Sequence, residues 1–246
     1  MPTPLYVIPD IHGQREALDA ALATVEADGG ADATIVFLGD LVDRGPDSRG
    51  VIDRLIAGQA AGHDWTVLRG NHDQIFLDFL DAAHAGAEGP GPGPAWLGEN
   101  MGGVATLASY GVAASQLSPN WQAVRSAVPQ SHRRFLATLP LYHETPELVF
   151  VHAGIRPGIA LSDQSPDDLL WIREPFLSDG RDHGRLVVHG HTALPYPRHH
   201  GNRVNLDGGA GWGRPLRPAV FVGRECWLLT GTGREPLVPG SRRAPR

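Results

Sequence analysis

The sequence predicts an α/β fold with two β-sheets. In the first third of the chain, short apolar segments rich in β-branched residues alternate with segments whose apolar residues recur at helical spacing. This alternation is typical of a parallel sheet whose strands are joined by helices. Farther along, several apolar segments follow one another with only short turns between them. They predict a second, mixed sheet in which the strands pair mainly antiparallel.

The first three strands are predicted at residues 5–8, 34–38 and 65–68, because each is an apolar run that ends in a polar turn. Helices are predicted after each of them, at residues 16–27, 51–57 and 73–83. In the first helix Leu18, Leu22 and Val25 recur at the spacing of one helix face.

The middle of the chain is less regular. Residues 86–94 are rich in glycine and proline, and we interpret them as a mobile surface loop, either a plain connector or a lid over a site. Helices are predicted at residues 96–110 and 131–139, and strands at 148–151, 186–188, 204–206, 219–222 and 226–229. Because no linker divides the chain, residues 1–240 are predicted to form one domain, followed by a disordered tail at 241–246.

The composition excludes several kinds of function. A formal net charge of −6 disfavours a protein that binds nucleic acid through its phosphates. The chain contains no lysine, which excludes Schiff-base chemistry and a lysine-based phosphate loop. The single cysteine, Cys226, excludes an intramolecular disulfide and a cysteine-based zinc site. With no signal peptide and no long apolar run, we expect a cytoplasmic enzyme without membrane partners.

Residues with metal-binding side chains follow five of the predicted strands. In open α/β sheets, ligands bind at the carboxyl ends of the strands, so we expect these side chains to meet at one place. The residues are, in chain order, Asp10, His12, Asp40, Asn71, His152 and His191.

The types of side chain in this set indicate which ions it would bind. Carboxylate, imidazole and amide ligands without thiolate suit divalent ions such as manganese, iron or zinc. Asp10 and His12 lie one residue apart and could hold one ion from a single turn. Asp40 has two oxygens and could bridge to a second ion, which the remaining three residues would complete. Two ions about 3.5–4 Å apart form a clamp for displacement at phosphorus.

Each motif also has a plain structural interpretation when it is taken alone. Asn71 could cap the following helix, and His152 could be a core histidine that is satisfied by hydrogen bonds. For His189, which lies two residues before His191, the structural interpretation is the favoured one. The motifs taken together, in this order and each at a strand end, favour the metal site.

Taken together, these motifs resemble the signature of the metallophosphoesterase superfamily, and in particular its phosphoprotein phosphatase branch. The matching segments are residues 9–13, 39–45, 70–73, 152–154 and 190–191, within a likeness that runs from about residue 4 to about residue 224. Residues 169–173 and 205–209 are similar to bacterial and phage serine/threonine protein phosphatases. The resemblance implies two mixed β-sheets in a sandwich flanked by helices, which is the four-layer fold of this superfamily.

The resemblance also implies a mechanism. Two divalent ions, manganese or alternatively iron or zinc, would hold a bridging hydroxide that attacks phosphorus in line. The first ion would be held by Asp10, His12 and Asp40, and the second by Asp40 with the three remaining ligands. No covalent phosphoenzyme is expected.

Further residues would act on the leaving group and on the phosphate. The resemblance implies that His72 protonates the leaving group and that Asp43 orients its ring and keeps it protonated. Arg44, Arg69 and Arg173 would bind phosphate oxygens through their forked donors. For Arg173 the alternative is a surface ion pair with Glu174 or Asp168.

Two departures from the family pattern bear on the substrate. Pro9 replaces the first glycine, which leaves the ligands of that block unchanged. Asp73 replaces the usual glutamate, as in the related diadenosine tetraphosphate hydrolases, but those enzymes tend to lack the aspartate that this chain keeps as Asp43. The first expectation is therefore a protein serine/threonine phosphatase, and the alternative is a dinucleoside polyphosphate hydrolase. The partner would be a phosphoprotein or a small phosphate ester, and the oligomeric state is left open.

Overall fold

The computed structural model describes residues 3–84, 93–115, 118–119 and 121–240. The strands are β1 Leu5–Ile8, β2 Ile35–Phe37, β3 Trp65–Val67, β4 Ala114–Ser115, β5 Ser118–Pro119, β6 Tyr142–Glu144, β7 Leu148–Val151, β8 Leu186–His189, β9 Arg198–His199, β10 Arg203–Asn205, β11 Ala219–Val222, β12 Glu225–Thr230 and β13 Gly233–Pro236. The α-helices are α1 Arg15–Gly29, α2 Ser48–Ala60, α3 Asn71–His84, α4 Gly93–Trp96, α5 Gly103–Ser109, α6 Trp121–Ala127, α7 Gln130–Thr138 and α8 Pro166–Trp171. Two 3₁₀ helices are η1 Leu161–Asp163 and η2 Ala210–Trp212. Residues 86–92 of the predicted loop and the predicted tail 241–246 lie outside the described residues.

The first sheet has the order β13-β12-β11-β1-β2-β3. As predicted, β1, β2 and β3 are parallel and are joined by α1 and α2. The prediction that residues 219–222 and 226–229 belong to the second sheet is wrong. β11 instead pairs antiparallel with β1, with Leu5 opposite Phe221, and β12 pairs with β11. The hairpin of β11 and β12 thus pairs with the edge of β1 that β2 leaves free, and its antiparallel strands make the first sheet mixed.

The second sheet has the order β6-β7-β8-β10-β9. The expected antiparallel pairing is wrong for its centre, because β7, β8 and β10 run parallel. Parallel neighbours need a long crossover, and the segment from β7 to β8 supplies one that contains α8. Only the edge strands β6 and β9 are antiparallel to their neighbours.

The two sheets face each other across a buried apolar layer. Val7 and Phe221 of the first sheet belong to the same core as Phe150 and Val188 of the second. The rings of Phe150 and Phe221 meet edge to face at 6.2 Å. Helices α1, α2, α3 and α7 cover the outer face of the first sheet, and α8 covers that of the second. The α/β sandwich of two mixed sheets flanked by helices is thereby confirmed.

Helix α3 begins earlier than its apolar spacing predicts. Asn71 and His72 form its first turn directly after β3, so their side chains lie at the edge of the sheet. None of the helices in the described ranges is both long enough and apolar enough to cross a membrane.

Candidate metal centre

The carboxyl ends of strands from both sheets bring the predicted metal ligands together. These ligands lie in the turns after β1, β2, β7 and β8 and in the first turn of α3, and all are buried or half-buried. Two groups of three residues are found here, and within each group the donor atoms all lie within 4.8 Å of one another. We call them the Asp10 cluster (Asp10, Asp40 and His152) and the His12 cluster (His12, Asp40 and His72). Asp40 is common to both.

Acceptor atoms face one another in the Asp10 cluster. His152 Nδ1 donates to a backbone carbonyl after β2 at 2.9 Å, which leaves Nε2 with a lone pair. That nitrogen lies 2.8 Å from Asn71 Oδ1 and 3.5 Å from Asp40 Oδ1. His191 Nδ1 lies 2.9 Å from the same Asn71 oxygen. The backbone N–H of His191 donates to Asp10 Oδ2 at 3.0 Å.

The His12 cluster is built in the same way. His12 Nδ1 donates to the carbonyl of Val42 at 2.9 Å, so that Nε2 points at Asp40 Oδ2 at 3.4 Å. The backbone N–H of His72 donates to Asp40 Oδ1 at 3.0 Å. The rings of His12 and His72 meet edge to face at 4.8 Å. Hydrogen bonds therefore orient each of these side chains before any ion binds.

The turns that carry the site have an unusual backbone. In the described part of the chain, every non-glycine residue with positive φ belongs to the predicted site, with φ from 50° to 75°. This left-handed region is unfavourable for residues that carry a Cβ. The residues are His12, Asp40, Asp43, Arg44 and His191.

Two glycines allow the backbone to approach the carboxylates closely. A Cβ on Gly190 would lie 1.9 Å from Asp10 Oδ1. A Cβ on Gly70 would lie 2.2 Å from both the backbone nitrogen and Oδ1 of Asp40. Any larger residue at either position would push a carboxylate out of place.

The buried carboxyl groups have shifted pKa values. Burial raises the pKa of Asp10 well above its ordinary value, and the charges of Asp207 and Asp40 raise it further. Burial alone would also raise the pKa of Asp40, but the neighbouring imidazoles, that of His152 first, hold it well below its ordinary value. Burial raises the pKa of Asp207 to about 6. Three carboxyl groups are thus crowded in a buried site, where burial and mutual repulsion oppose their ionisation in the absence of a cation.

His72 differs from the other histidines of the site. Burial lowers the pKa of His12 to about 3 and that of His191 to about 3, so both rings are neutral at pH 7. Burial also lowers the pKa of His152. For His72 burial acts in the same direction, but the charge of Asp40 and the hydrogen bond to Asp43 outweigh it, and the pKa is raised.

This donor set fits divalent cations. Neutral imidazole nitrogens and carboxylate oxygens converge with lone pairs facing inward, and the closest pair, His152 Nε2 and Asn71 Oδ1, is only 2.8 Å apart. His191 Nε2 is buried and has no hydrogen-bond partner in the described structure. Lone pairs at this separation repel unless a cation lies between them, and a cation would also compensate the buried carboxylates.

His72 and Asp43 form a buried pair beside the His12 cluster. His72 Nδ1 donates to Asp43 Oδ2 at 2.6 Å. Trp96 Nε1 donates to the same oxygen at 2.8 Å, and Thr106 Oγ1 donates to Oδ1 at 2.6 Å. Both oxygens of Asp43 are therefore held. The sequence indicated neither Trp96 nor Thr106, since each lies on a separate helical segment far along the chain.

The three predicted phosphate-binding arginines lie in different surroundings. Arg44 donates from Nη1 to His12 Nε2 at 2.6 Å and from Nη2 to His72 Nε2 at 3.0 Å, so it lies inside the site. Arg69 is half-buried and donates to Gln74 Oε1 and to the carbonyl of Ala137, each at 2.8 Å. Its guanidinium is thus bound to the protein rather than presented to the clusters.

Arg173 is exposed, and its charge adds to the effect of burial in lowering the pKa of His191. Among the described residues it forms no ion pair with Glu174 or Asp168. Asp168 instead binds Arg156, with Nε at 2.9 Å and Nη2 at 2.6 Å. Arg173 is therefore available to an anionic ligand.

Asp73 is bound to the backbone. Its Oδ1 accepts from the N–H of Leu41 at 2.9 Å and its Oδ2 from that of Gly70 at 2.8 Å. Burial and the charge of Asp40 raise its pKa to about 7. The residue joins the turns after β2 and β3, so its identity reflects turn geometry more than substrate.

The chain is similar in sequence to a known family and to several known proteins. Residues 3–215 match the calcineurin-like phosphoesterase family. A symmetrical bis(5'-nucleosyl)-tetraphosphatase from Paracidovorax citrulli is 45% identical over 86 residues, which cover 35% of this chain but only 28% of that protein. The asymmetrical bis(5'-nucleosyl)-tetraphosphatase PrpE of Bacillus velezensis is 29% identical over 242 residues and 89% of each chain.

Solved structures share the fold. A putative diadenosine tetraphosphatase superposes with a TM-score of 0.65 at 23% identity, covering 98% of this chain and 96% of that one. A cold-active protein-tyrosine phosphatase of a Shewanella species superposes at 0.64 with 14% identity, covering 97% and 81%. At these identities the likeness concerns the fold. With the family match extending over all the strand-end motifs, the chain belongs to the calcineurin-like phosphoesterase family.

Proposed function

We propose that the protein hydrolyses dinucleoside polyphosphates with two divalent ions, manganese being the first to test. The observation that carries the two-ion site is that Asp40 belongs to both donor clusters. Asp10 and His12, which belong to different clusters but lie one residue apart in the same turn, would complete one ion site. The other would be completed by Asn71, His152 and His191. Ions bound there would activate water and neutralise the charge of the phosphates.

The protein's own residues would orient the substrate and protonate the group that leaves. Arg44 lies between His12 and His72, where its Nη atoms can turn to phosphate oxygens, and the exposed Arg173, just after α8, would be a second phosphate ligand. The water oxygen forms a new bond to phosphorus as the bond to the bridging oxygen breaks. Once Arg44 turns to the phosphate, it would release His72 Nε2, which could then carry a proton and give it to the departing oxygen while Asp43 holds Nδ1.

The choice of substrate is supported by relatives. The Bacillus velezensis protein aligns over 89% of both chains and carries the name of an asymmetrical bis(5'-nucleosyl)-tetraphosphatase. Shorter alignments reach symmetrical enzymes with the same type of substrate. Cleavage between the first and second phosphate would give AMP and ATP, whereas cleavage at the centre would give two ADP.

A second candidate is the protein serine/threonine phosphatase that the sequence ranks first. The buried His72–Asp43 pair favours it, because a serine alkoxide is a poor leaving group that needs a proton. A departing nucleotide phosphate has a pKa of only about 6 and needs protonation far less. The pair would therefore give its greatest benefit on an alkyl phosphate.

The two candidates are separated by one comparison of rates. Diadenosine tetraphosphate and a phosphoserine peptide are assayed with the same manganese-loaded protein, and the nucleotide products are identified by chromatography. We expect the higher kcat/KM for diadenosine tetraphosphate, with AMP and ATP as products. A higher kcat/KM for the peptide would reverse the proposal. Parallel loading with iron or zinc identifies the most active ion.

Replacing the proposed acid tests the mechanism. His72→Asn should lower kcat by about 10²–10⁴-fold on an alkyl phosphate, because the departing alkoxide would lack its proton donor. The metal content, measured by mass spectrometry, should stay close to that of the wild type. An unchanged kcat would remove His72 from the reaction.

A further inference from the structure

We propose that Trp212 and Trp171 are stacking platforms for the two bases of a dinucleotide, one on each side of the metal centre. This inference rests on the proposed function and specifies how that site selects its substrate. The first observation is the solvent exposure of the two indole side chains. Four large apolar side chains are exposed in the described part of the chain, and two of them are these tryptophans, at 54% and 42%.

Trp212 borders the His12 cluster. It ends η2 in a glycine-rich turn whose flanking residues, Gly209 and Gly213, have φ of 83° and 76°. The guanidinium carbon of Arg44 lies 4.5 Å from the centre of the indole ring, so one face of the ring covers a residue proposed to bind phosphate. The adjacent Gly211 fits so closely that a Cβ would lie 2.5 Å from the ring of His12.

Trp171 lies next to His191, whose ring contacts Asn71 beside the Asp10 cluster. It is the last residue of α8, and its ring meets that of His191 edge to face at 6.1 Å. Arg173, which is also exposed, follows two residues later in the chain. Each side of the centre therefore presents an exposed indole, and on the side of the His12 cluster an arginine lies over that indole.

This arrangement matches a substrate with a base at each end of a phosphate chain. Stacking of a nucleobase on an aromatic ring contributes about 1–3 kcal/mol per base and tolerates any base. The phosphates would cross the ion sites, and each base would lie over one indole. A phosphoserine peptide has no group that needs two such platforms.

The test compares two substrates that carry the same phosphates. For each variant we take the ratio of kcat/KM for diadenosine tetraphosphate to kcat/KM for inorganic tetraphosphate, so that any change in Arg44 or in the ions affects both values. Trp212→Ala and Trp171→Ala should each lower this ratio about 10-fold, within the range for one lost stack. Trp212→Phe and Trp171→Phe, which keep a ring, should hold the ratio within about 3-fold of the wild type.

Ile159→Ala is the matched control. Ile159 is similarly exposed, at 44%, but lies with Tyr142 and Val187 on the outer face of the second sheet. Its ratio should equal that of the wild type.

Two results would overturn the inference in distinguishable ways. A wild-type protein that cleaves inorganic tetraphosphate or the phosphopeptide but not diadenosine tetraphosphate would overturn the proposed function itself. If the wild type cleaves diadenosine tetraphosphate and both alanine variants keep its ratio, only the stacking platforms are refuted. The same refutation follows if the alanine variants keep the ratio and change only the oligomeric state in gel filtration, since the indoles would then belong to an interface.

Discussion

Asp43 shows how a single residue can be fixed from several directions. Its two carboxylate oxygens accept from His72, Trp96 and Thr106, and its backbone N–H donates to Thr106 Oγ1 at 2.8 Å. The residue is fully buried. A carboxylate with both oxygens held in this way cannot rotate, so the ring of His72 is kept in one orientation.

Removing one of these donors should weaken proton transfer. Trp96→Phe keeps an aromatic ring but deletes the N–H that binds Asp43 Oδ2. A hydrogen bond to a charged group contributes about 1.5–3 kcal/mol. We expect kcat on an alkyl phosphate to fall about 10-fold, and to fall less on p-nitrophenyl phosphate, whose leaving group needs no proton.

Trp121→Phe is the control for this effect. Trp121 stacks on Phe79 at 4.8 Å, in the same aromatic group as Trp96, but it does not donate to Asp43. An equal loss on both phosphates, or the same loss in the control, would mean that Trp96 only supports packing.

At the residue scale, the sequence identifies Asp43 but not the residues that hold it. Asp43 is part of a compact motif in which neighbours along the chain act together. The bond from Trp96 joins positions 53 residues apart, and that from Thr106 joins positions 63 apart. No local pattern encodes such a contact, because it depends on where α4 and α5 pack.

At the scale of elements, the turn after β8 determines the geometry of the Asp10 cluster. Gly190→Ala places a methyl group only 1.9 Å from the present position of Asp10 Oδ1, which would have to move. We expect this variant to fold but to bind substantially less manganese than the wild type, as measured by mass spectrometry after dialysis. Gly180→Ala, where a Cβ meets nothing within 4 Å, should bind manganese normally. Equal metal contents would show that the turn can relax.

Three helices are joined by a hydrogen-bonded group centred on the buried His132. Tyr110, which follows α5, donates to His132 Nδ1 at 2.8 Å, and His132 Nε2 donates to Asp53 Oδ1 at 2.8 Å. His132 lies on α7 and Asp53 on α2. Burial lowers the pKa of His132, although Asp53 opposes the shift.

This shift has a defined sign for stability. Because the pKa of His132 is lower in the folded protein, the unfolded chain binds a proton more readily below about pH 6.5. The free energy of unfolding should therefore fall as the pH decreases from about 7.5 to about 5.5. In His132→Gln this part of the decrease should vanish, and the variant should approach the wild type at the acidic end. Urea denaturation at several pH values measures the difference, with His84→Gln on the exposed end of α3 as the control. If the free energy of unfolding changes with pH by the same amount in His132→Gln and in the wild type, the prediction is wrong.

Apolar spacing predicts the existence of most elements but not their polar ends. Strands β1, β7 and β11 begin and end where their apolar runs do. Helix α3 begins two residues before its apolar pattern, because Asn71 and His72 are selected by the site and not by the core. The short edge strands β6 and β9 carry polar residues such as His143 and Arg198, so no apolar run marks them.

At the scale of the whole molecule, the ligand set connects the two sheets. Asp10, Asp40 and Asn71 follow strands of the first sheet, whereas His152 and His191 follow strands of the second. An ion bound by both groups would act as a cross-link between the sheets.

Removing the ions should therefore lower the thermal stability. An ion present at 100 times its Kd stabilises the folded state by about 2.7 kcal/mol, which for a chain of this size corresponds to a melting temperature about 5–10 °C higher. Calorimetry with and without chelator measures this difference. In His191→Ala the difference should be smaller, because one connection to the second sheet is lost. If the melting temperature is the same with and without chelator, the ions do not cross-link the sheets.

The pairing of the sheets could not be predicted from the sequence. Residues 219–222 have the same apolar character as residues 186–188, yet β11 pairs with β1 and β8 pairs with β7. Apolar character places a strand in the interior but does not specify its neighbour, which depends on the free edges that earlier strands leave. The strand-end motifs were more informative, because their polar residues converge whichever sheet carries them.

The left-handed backbone of the five site residues implies that this protein gives up stability to keep its activity. Each such conformation costs about 1–3 kcal/mol for a residue with a side chain, and glycine would avoid that cost. Arg44→Gly would therefore relieve strain while destroying the proposed chemistry, whereas Asp43→Gly would also leave the buried donors of His72, Trp96 and Thr106 without a partner. Selection for thermal tolerance alone would be expected to remove Arg44 before Asp43, so a heat-resistant but inactive lineage is an accessible evolutionary outcome.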